Sequence, residues 1–188
     1  SSAASDVYKR QVHVRWYCKF ADDFDQGNLM HLNKLIARKE RWGEGTAGKR
    51  PSGFDFFRTT LDVWRDWGKN PVPGEPILYS YFPLMKIDQK TGKYWGNIFR
   101  SSRKVLIRRG KWYCMEMMLK ANTVGKPDGE QAFWINGTLI GHFKNITWRL
   151  TDDLKINRFS IGLYIHDNKK INRVWYDDVV VSTGFVGP

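Results

Sequence analysis

The chain carries 31 Lys and Arg against 19 Asp and Glu, a formal net charge of +12, together with 9 Trp, 8 Tyr and 11 Phe in 188 residues. Cations interleaved with aromatic rings suit one kind of ligand especially well. Flat aromatic faces stack on the C–H faces of sugar rings, and Lys or Arg beside them pair with carboxylate or sulfate groups. The basic runs Arg38-Lys39-Glu40-Arg41, Arg103-Lys104, Arg108-Arg109-Gly110-Lys111 and Lys169-Lys170-Ile171-Asn172-Arg173 supply much of the excess charge. Singly, each reads as an exposed loop or as an edge-strand guard against strand addition. Together they raise the local concentration of any polyanion.

Other chemistries fail on their own motifs. Gly43-Glu44-Gly45-Thr46-Ala47-Gly48 spells G-x-G-x-x-G, and with Lys49 it approaches a P-loop. Both motifs need the glycines to lead into a helix whose N-terminus holds phosphate. Arg50 stands where a Mg²⁺-binding Ser or Thr belongs, and Pro51 and Gly53 break any helix. There is no H-E-x-x-H, no Cys/His cluster and no G-x-S-x-G. The E-x-D-x-x-E strand face of sandwich glucanases is missing too, which removes the most recognisable support for two-carboxylate glycoside hydrolysis.

The elements that must position these residues read as strands. Alternation at period two places Val12, Val14, Trp16, Cys18 and Phe20 on one face of 12–20. In 56–64, Phe57, Thr59, Leu61 and Val63 oppose Phe56, Arg58, Thr60, Asp62 and Trp64. In 77–82, Ile77, Tyr79 and Tyr81 oppose Leu78, Ser80 and Phe82. Further strands are predicted over 112–120, 159–165 and 174–182. The pair 130–135 and 138–143 flanks Asn136-Gly137, a hairpin signal because both central residues of a type I′ turn need positive φ. Turn chemistry at Pro71-Val72-Pro73-Gly74, Lys126-Pro127-Asp128-Gly129 and His166-Asp167-Asn168 separates the runs. Residues 28–38 fit a helical stripe or a strand, and 43–53 and 65–76 read as long loops. Many short strands with such punctuation predict an all-β sandwich or barrel in a single domain. Cys18 and Cys114 allow one bridge or two buried thiols. No apolar run approaches the roughly 18 residues of a membrane span.

Residues 2–11 carry neither apolar periodicity nor a signal-peptide layout and look like a translated sequencing adapter. On that reading 1–11 is a non-native tail, and the native domain spans 12–188 with an upstream piece, including an N-terminal strand, missing.

From Val12 to Pro188 the sequence resembles the jelly-roll polysaccharide lyases and lyase-like proteins of the alginate and glucuronan lyase type. The resemblance rests on Val14-Arg15-Trp16-Tyr17-Cys18-Lys19-Phe20, Lys34-Leu35, Gly53-Phe54-Asp55-Phe56-Phe57-Arg58-Thr59-Thr60-Leu61 and Tyr79-Ser80-Tyr81. It continues through Arg109-Gly110-Lys111-Trp112-Tyr113, the hairpin from Asp128 to Gly137, and Trp175-Tyr176-Asp177-Asp178-Val179-Val180-Val181-Ser182. It implies a two-sheet antiparallel jelly-roll sandwich of the concanavalin A-like type. Lyases with a Gln-Ile-His strand have no counterpart here, so their catalytic set does not transfer.

Such a fold would run β-elimination on a uronate, with the C6 carboxylate neutralised, the C5 proton taken by a base and the departing O4 protonated by an acid. Arg58 is the expected neutraliser, unless it forms a structural salt bridge to Asp62 or another carboxylate of the sandwich. Tyr79 and Tyr81 are the leading acid/base candidates, unless both are core, and His166 joins the catalytic set unless it caps a turn. His31, Lys34, Trp64, Trp134 and Tyr164 are expected to line the substrate groove. Asp177 and Asp178 are candidate ligands of a structural Ca²⁺; no other cofactor is implied. The expected partner is an acidic polysaccharide rather than nucleic acid or a membrane, met by a monomer outside the cytoplasm, in the extracellular or periplasmic space. A non-catalytic carbohydrate-binding module is the competing reading.

Overall fold

The computed structural model describes residues 10–40 and 45–188. Over these residues the chain is all β. The strands are β1 (Gln11–Phe20), β2 (Met30–His31), β3 (Asn33–Arg38), β4 (Phe56–Trp64), β5 (Pro73–Tyr81), β6 (Asn97–Phe99) and β7 (Ile107–Arg108). They continue with β8 (Trp112–Lys120), β9 (Gly129–Ile135), β10 (Thr138–Ile146), β11 (Ile156–Ser160), β12 (Tyr164–Ile165) and β13 (Val174–Ser182). One antiparallel sheet runs β10-β9-β8-β1-β13, and the other runs β11-β3-β4-β5-β6 with β7 paired to β5. The short pair β12-β2 stands beside them. No helix of the described residues is long and apolar enough to cross a membrane.

The alternation read from the sequence sets which face each side chain takes. Val14, Trp16, Cys18 and Phe20 of β1 are buried, as are Met115, Met117 and Leu119 of β8. They meet Leu35, Phe57, Leu61 and Leu78 of the opposite sheet in one core. Each large side chain taken fully out of water there contributes about 1.5–3 kcal/mol. A polar bridge crosses the same core: Thr59 and Ser80 donate to Gln131 Oε1 at 2.7 and 2.8 Å.

Several sequence expectations are met and several are refined. The hairpin turn has φ of 50° at Asn136 and 75° at Gly137, the left-handed pair a type I′ turn needs. Residues 28–38 are extended, as β2 and β3 broken at Leu32, not helical. The 159–165 run divides into β11 and β12. Strand β5 starts at Pro73, inside the expected turn, while β6 and β7 are too short for a periodic signal. Strand β1 starts at Gln11, and the Arg10 carbonyl accepts from Ala121 N–H at 2.7 Å. Gly43 and Glu44, the start of the G-x-G-x-x-G string, lie outside the described residues.

Of the alternatives for the cysteines, the structure selects two free, buried thiols. Tyr17, not Cys18, pairs with Cys114, so the two sulfurs lie on opposite faces of one sheet. Burial pushes the Cys18 thiol up to about 12.

Candidate functional site

The site lies on the outer face of the six-stranded sheet, where the polar halves of β3, β4 and β5 emerge. Cross-strand register aligns Lys34 with Thr60 and Thr60 with Tyr79; in the next rung Ile36 aligns with Arg58 and Arg58 with Tyr81. Side chains two apart share a face. Lys34, Arg58 and Asp62 therefore join Tyr79 on one surface.

At its centre His31 Nδ1 lies 2.6 Å from Asp62 Oδ2, and Asp62 Oδ1 accepts from the Leu32 amide at 2.7 Å. The carboxylate thus occupies the place where β2 breaks from β3, and it holds the imidazole in one orientation. Aromatic rings surround that imidazole. Ring centroids are 4.9 Å away for Tyr79, 5.1 Å for His166 and 6.3 Å for Tyr164, the last nearly parallel at 8°. Strand β12 supplies Tyr164 directly opposite His31.

Arg58 lies half-buried with its guanidinium carbon 4.3 Å above the Tyr81 ring. Its Nε is buried and makes no hydrogen bond among the described residues. The expected alternative, a pairing of Arg58 with Asp62, is not what forms: Asp62 is taken by His31 and the Leu32 amide. Burial, then the nearby Arg58 charge, lowers the pKa of the Lys34 ammonium. Burial, then Tyr81, raises that of the Tyr79 phenol. Gly96 packs flat against the Tyr79 ring, where any side chain would overlap it. His166 is pushed below its ordinary value by burial and by His31, with Asp62 opposing.

The structure thus brings Arg58, Tyr79, His166, His31, Lys34 and Tyr164 together, and separates the other expected residues. Tyr81 is 1% exposed, sealed with Phe56 and Met85 in a small second cluster. It supports Arg58 and Tyr79 from below instead of meeting a ligand. Trp64 shares the face but is 6% exposed, with Arg100 stacked on its ring at 5.3 Å. Trp134 belongs to the other sheet, on its outer side between His13 and Phe185, and so lies outside any groove here. Asp177 pairs in register with Tyr17, and the strand bulges at Asp178 and Val179, opposite Trp16 of β1. Asp178 takes φ of 47°, its amide donates to Asp177 Oδ1 at 2.8 Å, and Arg15 donates to its carbonyl at 2.9 Å. Those contacts serve the backbone of the bulge. Among the described residues no group of three or more His, Cys, Asp or Glu side chains is placed to hold a metal ion.

This architecture matches solved structures. An alginate lyase from Chlorella virus superposes with a TM-score of 0.70 at 18% identity, covering 94% of this chain and 72% of that one. The marine alginate lyase of Aplysia kurodai gives 0.68 at 16% identity, over 95% and 71%. The endo-β-1,4-glucuronan lyase of the fungus Trichoderma reesei gives 0.59 at 19% identity, over 94% and 69%. The fold is that of the jelly-roll polysaccharide lyases. No family model and no curated protein matches the sequence.

Within the jelly-roll lyase fold, the sequence alone does not mark Asp62 as the partner of His31. Asp62 was visible only as a possible partner of Arg58. A carboxylate between Leu61 and Val63, in a strand otherwise rich in apolar and β-branched residues, was the available signal, because a buried acid demands a partner.

Proposed function

We propose that the protein cleaves a uronate-containing polysaccharide by β-elimination on the outer face of the six-stranded sheet. The observation that carries the reading is a half-buried guanidinium with an unpartnered Nε, Arg58, beside a His31 that Asp62 holds in place. A cation with no carboxylate partner among the described residues is suited to receive the C6 carboxylate of a uronate, and Lys34 adds a second positive charge from the neighbouring rung. Neutralising that carboxylate acidifies the C5 proton. His31, with Nδ1 held by Asp62, offers Nε2 as the general base.

As the C5–H bond breaks, its electron pair forms the C4–C5 double bond, and the C4–O bond to the neighbouring sugar breaks. The Tyr79 phenol gives its proton to that departing oxygen. Burial raises its pKa, so the phenol carries its proton at neutral pH, and a departing alkoxide is a strong enough base to take it. Tyr164, 60% exposed and nearly parallel to the His31 ring, offers its face to a sugar ring. His166 stands beside both rings, where it completes the wall and remains neutral to lower pH than a free imidazole.

Alginate and glucuronan are the substrates to try first, and an extracellular or periplasmic setting is where a monomeric enzyme would meet them. The test is incubation with each polymer while following the ultraviolet absorbance of the unsaturated product. Growth of that absorbance, lost in Arg58→Ala, supports the reading. Retained binding without product assigns the face to a carbohydrate-binding module instead.

A further inference from the structure

The loop joining β4 to β5 displays a tryptophan at evident cost. Asp66, Trp67 and Gly68 take consecutive left-handed φ values of 47°, 56° and 90°. Gly adopts that region freely and Asn with modest penalty, whereas a bulky residue there is strained. Trp67 is also 74% exposed, so a large apolar surface stays in water. Gly at this position would remove both penalties, and Asn would ease the strain and remove the exposed ring.

The ring stands against its neighbour on one side and faces water on the other. Its plane stands at 82° to that of Trp64, with centroids 6.3 Å apart. Trp64 in turn lies beneath Arg100, which is anchored by ion pairs to Asp66 and Glu75. Gly68 and Asn70 amides both donate to the Arg65 carbonyl, closing the turn. Arg65 donates to the Gly27 carbonyl at 2.5 Å, and the His166 amide donates to the Leu29 carbonyl at 3.2 Å. Both loops are therefore fastened to residues 27–29, and this rim leads into His31 of β2.

We infer that Trp67 is a sugar-binding subsite on this rim, stacking one pyranose ring of the acidic chain whose reacting uronate sits at Arg58 and His31. The inference rests on the proposed function for its ligand class and adds the residue that sets how much of the chain is gripped. The anchored, water-facing ring plane suits the apolar face of a sugar, and the basic surface around the site suits the rest of a polyuronide.

The test is affinity electrophoresis of the whole chain in gels containing alginate or glucuronan, with thermal melting alongside, for Trp67→Ala, Trp67→Asn and Trp67→Phe. Both Ala and Asn should weaken retardation about three- to tenfold, Phe should recover most of it, and Asn should melt at or above the parent temperature. Parent-like retardation of Trp67→Asn overturns the subsite while leaving the elimination reading intact. Weakened retardation in a chain that yields no unsaturated product sustains the subsite and overturns the elimination. A parent chain retarded by neither polymer overturns both.

Discussion

His31 Nδ1 and Asp62 Oδ2 are 2.6 Å apart, joining a half-buried imidazole to a carboxylate that is 1% exposed. The second oxygen of Asp62 fastens the Leu32 amide where β2 breaks from β3, so the residue has a structural contact beside the one to His31. Asp62→Asn keeps the volume and removes the charge. Product formation should fall about 100-fold or more, the usual contribution of a positioned base. Stability should drop by about 1–3 kcal/mol for the altered buried hydrogen bonds. Rate and melting temperature read the two effects separately, and an unchanged rate with a lowered melting point would make Asp62 purely structural.

Arg58 presents the opposite balance. Among the described residues its removal leaves no anion stranded; the main structural loss is its stacking on Tyr81. Arg58→Ala should therefore cost only about 1 kcal/mol of stability, yet slow elimination about 100- to 1,000-fold, as loss of one charge-stabilising donor does. Arg58→Lys keeps the charge but loses the planar fork, so its rate should fall between the two. Steady-state kinetics with chemical denaturation of all three proteins checks this.

The pKa of His166 gives a pH dependence with a definite sign. Its folded pKa lies below the unfolded value of about 6.5, so the unfolded chain takes the proton first as pH falls. The group's share of stability is fully present above that value and is lost as pH falls through the folded pKa. The imidazole resonances of His166 should titrate below 6.5 in NMR, and His31→Ala should move the midpoint part-way back, because His31 is one of the two lowering causes. An unmoved midpoint would leave burial as the only cause.

A control lies on the other sheet. Glu116, 1% exposed, accepts from His13 Nδ1 at 2.9 Å and from the Val186 and Gly187 amides at 3.0 and 2.9 Å. Glu116→Ala strands all three donors and should cost about 3–5 kcal/mol. The site face is untouched, so activity per folded molecule should stay at the parent level when measured well below the melting temperature.

Much of this fold was legible in the sequence because a strand's side chains alternate wherever no bulge interrupts it. Val14, Trp16, Cys18 and Phe20 had to share a face, as did Arg58 and Asp62, and the Asn136-Gly137 turn had to join two strands. Alternation says which residues share a side, but it does not say which side meets water. Tyr79 and Tyr81 share a face, yet Tyr81 is sealed by Phe56 and Met85 while Tyr79 stays half-open. Trp134 went to the outer surface of the opposite sheet for the same reason: its strand's pairing partner, not its own pattern, chose the sheet. The meeting of His31 with Asp62 and with His166 joins residues 31 and 135 positions apart, and only the packing of β2 against β4 and β12 creates it. Local pattern sets the elements and their faces; contacts between distant segments decide which polar groups are left facing one another.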